Sequence, residues 1–110
     1  MPIKEMKSLD ECQQICTQME NTIIVLDFTA TWCGPCKRIY PLLEKLSNEY
    51  PNVAFYKIDI DKLSDIASYF QIQSVPSFKF LYNNNIVADF AGADAQKLTQ
   101  TIKNLVSEFY

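Results

Sequence analysis

TIIVLDFTATWCGPCK, residues 22–37, sets the architecture of this chain of 110 residues. Its first half is apolar and rich in β-branched side chains, which is typical of a parallel strand covered on both faces. Its second half holds Cys33 and Cys36, separated by two residues, and leads into an amphipathic helix predicted over residues 33–50 and bent at Pro41. Strand, tight loop and helix start therefore carry two thiols that can cycle between dithiol and disulfide.

Strand-like and helical patterns alternate on both sides of this segment. The further predicted elements are an edge strand at 2–6 that begins with Pro2, a helix from Leu9 to near Asn21 capped by Ser8 or Asp10, strands at 53–58, 77–82 and 86–91, and helices at 61–70 and 94–109. Residues 83–85, all asparagine, suit a hairpin connection because Asn tolerates positive φ. This order predicts a single α/β domain, residues 1–110, with a mixed sheet and helices on both of its faces.

Composition and charge exclude several classes of function. Ten basic and thirteen acidic residues are scattered along the chain, with no basic cluster for phosphates, so no nucleic acid partner is expected. No apolar run approaches the roughly 20 residues that span a bilayer, so no membrane association is expected. Lys4, Glu5 and Lys7 stand where a signal peptide would be apolar, which predicts a cytoplasmic protein. The absence of histidine excludes a Cys-His pair, a serine triad and any His-containing metal site.

Two further cysteines, Cys12 and Cys16, raise two alternatives. Together with Cys33 and Cys36 their spacing superficially resembles a four-cysteine zinc site. They could also form a second redox pair, but residues four apart on one helix need distortion to reach disulfide geometry. Both share a helical face with Leu9 and Met19, and buried cysteine behaves as a small hydrophobe. We therefore predict that both cysteines pack in the core, that no metal is bound and that Cys33–Cys36 is the one disulfide.

The chain resembles the thioredoxin family along essentially its whole length. The resemblance rests on residues 27–37, on the pair Val75-Pro76 and on Gly92. It implies the thioredoxin fold, a central mixed five-stranded sheet flanked by four helices. Gly34-Pro35 between the cysteines is usual in reducing thioredoxins, whereas oxidising and isomerising relatives commonly carry a histidine there. Thr29, where bacterial relatives often have tryptophan, makes the pattern most similar to the eukaryotic cytosolic branch.

The two cysteines are expected to have separate tasks. Cys33 lies at a helix start, where unpaired backbone N–H groups and the helix dipole favour a thiolate. We expect Cys33 to be the exposed nucleophile, and Cys36, one turn away and shielded, to be the resolving thiol. Pro35 fits the first helical turn without losing a hydrogen bond, and with Gly34 it forms the stiff link of the disulfide ring.

Asp27 is the most anomalous residue, because a carboxylate inside an apolar strand carries a large desolvation cost. One interpretation is a strand-end polar group that is hydrogen-bonded to backbone. The resemblance implies another, in which the aspartate lies behind the disulfide and assists deprotonation of Cys36 through water. Lys57 matches the lysine that lies near this aspartate in relatives and tunes it.

Four residues are candidates for substrate contact. Trp32, next to Cys33, should form part of an apolar lip, although a lone tryptophan more often only packs. The resemblance places a cis proline at Pro76, facing the disulfide, and lets the backbone of Val75 pair with an extended substrate. It also gives Gly92 the role of leaving room for substrate, whereas from the sequence alone it could simply end a strand.

These features predict a thiol-disulfide oxidoreductase that reduces protein disulfides in cellular redox homeostasis. The resemblance implies no bound cofactor, and reducing equivalents that come from NADPH through thioredoxin reductase. It implies a monomer whose protein substrates include peroxiredoxins, ribonucleotide reductase and methionine sulfoxide reductases. Two alternatives stay open: a non-catalytic binding or regulatory subunit with the same fold, and a disulfide isomerase or oxidase of the secretory route.

Overall fold

Five strands and four helices make up the computed structural model, which describes residues 3–110. In chain order they are β1 (Ile3–Glu5), α1 (Leu9–Gln18), β2 (Ile23–Thr29), α2 (Gly34–Glu49), β3 (Ala54–Asp59), α3 (Ser64–Tyr69), β4 (Ser77–Tyr82), β5 (Asn85–Ala91) and α4 (Ala95–Phe109). All the helices and strands predicted from the sequence are present, while Pro2 lies outside the described residues. Within residues 3–110, no helix is both long and apolar enough to cross a membrane.

The strands form one mixed sheet in the order β1-β3-β2-β4-β5. β1, β3 and β2 are parallel, and β4 and β5 run antiparallel to their neighbours. β2 is therefore the central strand, as its continuous apolar sequence predicted. Its residues from Ile23 to Phe28 are all buried.

Side chains of β2 alternate between two cores. Ile23 and Val25 pack in the core formed with α2 and α4. Ile24, Leu26 and Phe28 pack in the second core, on the side of α1 and α3. Because successive side chains of a strand point to opposite faces, Asp27 lies on the same face as Val25, beneath α2.

Helix ends follow local side-chain chemistry. Ser8, one of the two predicted caps, accepts a hydrogen bond from the Glu11 N–H at 3.0 Å, and Asp94 caps α4 in the same way. The first helix ends at Gln18, earlier than predicted, and Asn21 then takes a left-handed φ of 54°.

The third helix is shorter than predicted and begins at Ser64. The Asp59 carboxylate accepts hydrogen bonds from the N–H groups of Asp61 and Lys62, at 2.9 and 3.4 Å. This turn competes with helical hydrogen bonding, so residues 61–63 do not join the helix.

The β4–β5 hairpin has a two-residue loop, one residue shorter than predicted. Asn83 and Asn84 both have positive φ, 49° and 66°, and Asn85 already belongs to β5. Positive φ at both central residues is the type I′ pattern, whose twist matches that of the strands. The Asn83 side chain also accepts a hydrogen bond from the Asn21 N–H at 2.7 Å, which ties the hairpin to the end of the first helix.

Tyr110 connects α4 to the start of β2. Its hydroxyl accepts a hydrogen bond from the Ile23 N–H at 2.8 Å and donates one to the Asn52 carbonyl at 2.7 Å. Ile23 is fully buried, so its N–H depends on this partner.

We expect Tyr110→Phe to lower the free energy of unfolding by about 1–3 kcal/mol, because it leaves a buried donor without an acceptor. Urea denaturation followed by circular dichroism measures the change. Tyr69→Phe is the matched control and should have no effect, because Tyr69 is exposed and its hydroxyl makes no hydrogen bond within residues 3–110. Equal stability of Tyr110→Phe and wild type would show that the Tyr110 hydroxyl does not stabilise the fold through the Ile23 N–H.

Candidate active site

Cys33 and Cys36 form a disulfide at the N-terminus of α2, with their Cα atoms 5.3 Å apart. The helix begins at Gly34, one residue later than predicted, because Cys33 is its N-cap and has an extended backbone. The Cys33 Sγ accepts a hydrogen bond from the Cys36 N–H at 3.2 Å. Pro35 lies in the first turn, as predicted, where no helical hydrogen bond is lost. The cysteine sulfur thus takes the place that an oxygen acceptor has in an ordinary cap.

The prediction that Cys33 is exposed and Cys36 shielded is wrong for this disulfide form. Each residue is only 4% exposed. The reason is packing, because the two cysteines form a small cluster with Ala30 and are covered by Ile60 and Val75. The two cysteines therefore do not differ in burial, but in their places at the helix end.

Trp32 stands beside this cluster and is 67% exposed. Its Nε1 donates a hydrogen bond to the Asp61 carboxylate at 2.9 Å, which orients the ring. Sequence reasoning missed Asp61, which is 29 residues away along the chain. No local motif links the two residues, and only the β3–α3 turn brings them together.

The predicted substrate contacts Val75, Pro76 and Gly92 meet on one side of the disulfide. The Val75–Pro76 bond is cis, as the resemblance implied, and the Val75 carbonyl oxygen lies 3.8 Å from the Cys33 Sγ. The Gly92 N–H donates to the Pro76 carbonyl at 2.8 Å. Gly92 has a φ of 106°, which favours glycine, and a Cβ placed there would meet no atom within 4 Å. The structure thus leaves open space beside this loop.

Asp27 is 3% exposed and is the register partner of Lys57 on β3. Burial raises the pKa of the Asp27 carboxyl from 3.8 to about 7, although the positive charge of Lys57 opposes this rise. Within residues 3–110, the Asp27 Oδ1 has no hydrogen-bond partner, so the interpretation as a carboxyl satisfied by backbone does not account for this oxygen. Within residues 3–110, Lys57 and Asp27 do not form an ion pair with each other. Lys57 therefore acts on Asp27 through the electrostatic field of its charge.

A groove of about 330 Å³ opens beside these residues and is lined by Cys36, Tyr40 and Lys57. The ammonium of Lys57 lies 5.4 Å from the centre of the Tyr40 ring, a cation–π contact. The groove therefore brings the second cysteine and the lysine to one solvent-accessible space. Tyr40 was not predicted as a site residue, because a single tyrosine on a helix carries no sequence signal.

The other two cysteines lie elsewhere, as predicted. Cys12 and Cys16 are free thiols, buried on α1 in the core of the opposite sheet face. Cys33 and Cys36 belong to a separate cluster, so the four sulfurs are not gathered in one place. Hydrogen bonding to Cys16 and burial raise the pKa of the Cys12 thiol, so it is not an activated thiolate.

Known proteins share both this sequence pattern and this geometry. The family model described as Thioredoxin matches residues 5–104. The chain belongs to the thioredoxin family. The thioredoxin of Homo sapiens is 38% identical over 104 residues, which cover 94% of this chain and 99% of that protein. The thioredoxin of Ophiophagus hannah is 40% identical over 101 residues, with coverages of 92% and 96%.

Solved structures agree with the assignment to thioredoxins. The thioredoxin of Trypanosoma brucei brucei superposes with a TM-score of 0.90 at 30% identity, covering 96% of this chain and 91% of that one. The thioredoxin Mala s 13 of Malassezia sympodialis gives a TM-score of 0.86 at 38% identity, with coverages of 93% and 89%. With a disulfide between Cys33 and Cys36, this thioredoxin-family chain is a thiol-disulfide oxidoreductase.

The raised pKa of Asp27 predicts a pH dependence of stability. The unfolded chain releases this proton near pH 4 and the folded protein holds it until about pH 7, so the folded state binds more protons in between. The contribution of Asp27 to the free energy of unfolding is therefore fully present below pH 4 and is lost as the pH rises to 7. We expect Asp27→Asn to remove this loss and to be more stable than wild type at pH 8 by about 2–4 kcal/mol.

Urea unfolding of both proteins at pH 5, 6, 7 and 8 measures the difference. Asp65→Asn serves as a control, since Asp65 is exposed. Parallel stability curves of wild type and Asp27→Asn across this range would show that the carboxyl titrates normally.

Proposed function

We propose that this thioredoxin-family protein works in the reducing direction, with Cys33 as nucleophile and Cys36 as resolving thiol. The observation that carries this proposal is the hydrogen bond from the Cys36 N–H to the Cys33 Sγ at the N-terminus of α2. In the reduced protein the same N–H and the helix dipole stabilise a thiolate on Cys33. Cys36 lies within the first turn of the helix and not at its N-cap.

The reaction proceeds by two exchanges. The Cys33 thiolate attacks one sulfur of a substrate disulfide, forms a mixed disulfide and expels the other substrate sulfur as a thiolate. The Cys36 thiolate then attacks the Cys33 sulfur, which forms the Cys33–Cys36 disulfide and releases the second substrate thiolate. The substrate gains two electrons and the protein loses two, and solvent protons complete the two substrate thiols.

Asp27 accepts the proton of Cys36 in this proposal. Its pKa of about 7 suits a group that takes up and releases protons at neutral pH. The groove lined by Cys36 and Lys57 gives water access to the second cysteine. Lys57 limits the rise in the pKa of Asp27, which keeps a share of the carboxyl ionised and able to accept the proton.

The substrate binds across the surface around the disulfide. Trp32 offers an exposed apolar ring, and the Val75 backbone, whose carbonyl lies 3.8 Å from the Cys33 Sγ, pairs with an extended chain. Gly34 and Pro35 hold the cysteines at the spacing of the disulfide ring. Space beside Gly92 accommodates substrate side chains.

We further propose a source of electrons, a cellular compartment and a set of substrates for this protein. Reducing equivalents come from NADPH through thioredoxin reductase, with no cofactor bound to this chain. The protein acts as a cytoplasmic monomer, and its substrates include peroxiredoxins, ribonucleotide reductase and methionine sulfoxide reductases. The family assignment and the similarity to animal thioredoxins support this set.

Reduction of insulin, coupled to NADPH and a thioredoxin reductase, tests the function. We expect turnover by wild type and complete loss in Cys33→Ser, because the attacking sulfur is missing. Cys36→Ser should retain the first exchange and accumulate a covalent adduct with insulin, visible by mass spectrometry after non-reducing separation.

Cys12→Ser is the matched control because its thiol belongs to the opposite core, and it should retain turnover. Absence of insulin reduction by folded wild type would favour the non-catalytic binding subunit instead. NADPH consumption that stays at background while dithiothreitol supports insulin reduction would reject only the proposed electron source.

Asp27→Asn tests the proton acceptor. The ionised carboxyl is the active form, so the rate of mixed-disulfide resolution in wild type should rise as the pH passes 7 and level off above it. We expect Asp27→Asn to slow this step by about 10²-fold or more at pH 7 and to lose that rise. Stopped-flow measurement of substrate release from a preformed Cys33 mixed disulfide isolates the step. An unchanged rate across pH 6–8 would remove Asp27 from the mechanism.

A further inference from the structure

Tyr40 lies one helical turn after Cys36 and is half-buried on α2. Its ring faces the ammonium of Lys57 across the groove, at 5.4 Å from the ring centre. Residues four apart on a helix share a face, so Cys36 and Tyr40 point to the same side of α2. Tyr40 therefore lines the same groove as Cys36 and Lys57.

Lys57 has other partners within reach of the same groove. Glu5 on β1 and Asp59 on β3 line it, and both carry carboxylates. Ion pairing with Glu5 would draw the ammonium toward the edge strand β1, and pairing with Asp59 would draw it toward the end of β3, in both cases away from Asp27. Among residues 3–110, Lys57 forms no ion pair with these carboxylates and lies over the aromatic ring instead.

We propose that Tyr40 is a positioning residue of this thioredoxin: its ring holds the Lys57 ammonium beside the buried Asp27 carboxyl. This inference rests on the proposed role of Asp27 as proton acceptor. Cation–π attraction to the negative face of the ring supplies the force, and it is stronger in a partly dry groove than in water. The lysine then keeps its electrostatic effect on Asp27 without forming a direct ion pair.

Charged and titratable groups lie around the groove beside Asp27, on the neighbouring strands β1 and β3, on α2 and on the turn that follows β3. They are Lys57 and Asp59 of β3, Glu5 of β1, Lys37, Tyr40 and Glu44 of α2, Cys36 when reduced, and Lys62 of the following turn. Phe78 of β4, the other register partner of Asp27, carries no charge. Burial, together with Glu44, Asp27 and Glu5, raises the pKa of the Tyr40 hydroxyl, so Tyr40 stays neutral at physiological pH. It contributes a ring and no charge.

Direct titration of Asp27 in the oxidised protein tests the inference. Carbon-13 NMR of the Asp27 carboxyl, from pH 4 to pH 9, gives the titration midpoint. We expect Tyr40→Leu to raise the midpoint by about half a pH unit, because Lys57 leaves for the sheet edge. Tyr40→Phe keeps the ring and should titrate like wild type.

Lys57→Met completes a double-mutant cycle. If Tyr40 acts through Lys57, Tyr40→Leu should add no further shift in the Lys57→Met background. An unchanged midpoint in Tyr40→Leu, an equal shift in Tyr40→Phe, or an additive shift in the double variant would each overturn the inference. Tyr40→Met replaces Tyr40→Leu if the latter does not fold.

The titration uses no substrate, so it separates this inference from the proposed function. A normal rate for Asp27→Asn would reject Asp27 as proton acceptor while leaving the Tyr40–Lys57 contact measurable. As a second readout, the rise of the resolution rate with pH should shift upward in Tyr40→Leu by the same half unit. A purely structural defect would lower the rate at every pH without moving this rise.

Discussion

Burial of β2 on both faces is the constraint on which the site depends. Every residue of this strand from Ile23 to Phe28 is shielded, so the one carboxyl among them, Asp27, is shielded as well. The strand ends where the chain turns into α2, and this fixes the two cysteines at the helix start. A single central strand thus determines both where the disulfide lies and which environment surrounds the Asp27 carboxyl.

The effect of burial on the pKa of Asp27 is reduced, but not removed, by the positive charge of Lys57. Desolvation alone would hold the carboxyl neutral to high pH, and a direct ion pair would keep it ionised throughout. Lys57 opposes the effect of burial from a distance, and the resulting pKa of about 7 lies between these limits. The folded protein gives up stability at neutral pH to keep this group titratable, a trade that is common at functional sites.

The surface around Trp32, Val75 and Gly92 is built differently from the groove lined by Cys36, Tyr40 and Lys57. Trp32, Val75 and Gly92 come from three separate segments, and hydrogen bonds from Trp32 to Asp61 and from Gly92 to Pro76 fix their arrangement. This surface has an exposed side chain at Trp32 and open space beside Gly92. The groove on the other side is lined by charged residues, among them Lys37, Lys57 and Asp59.

The sequence by itself determined the fold class, the elements and the reactive pair, because these depend on local periodicity and on a short motif. The exposed position of Cys33 and the start of α3 were predicted wrongly. Burial of Cys33 comes from Ile60 and Val75, and the late start of α3 comes from the turn at Asp59. Only the tertiary structure decided that Asp61 orients Trp32 and that Tyr40 meets Lys57. These contacts join residues far apart in the chain, and side-chain geometry, which no local pattern encodes, brings them together.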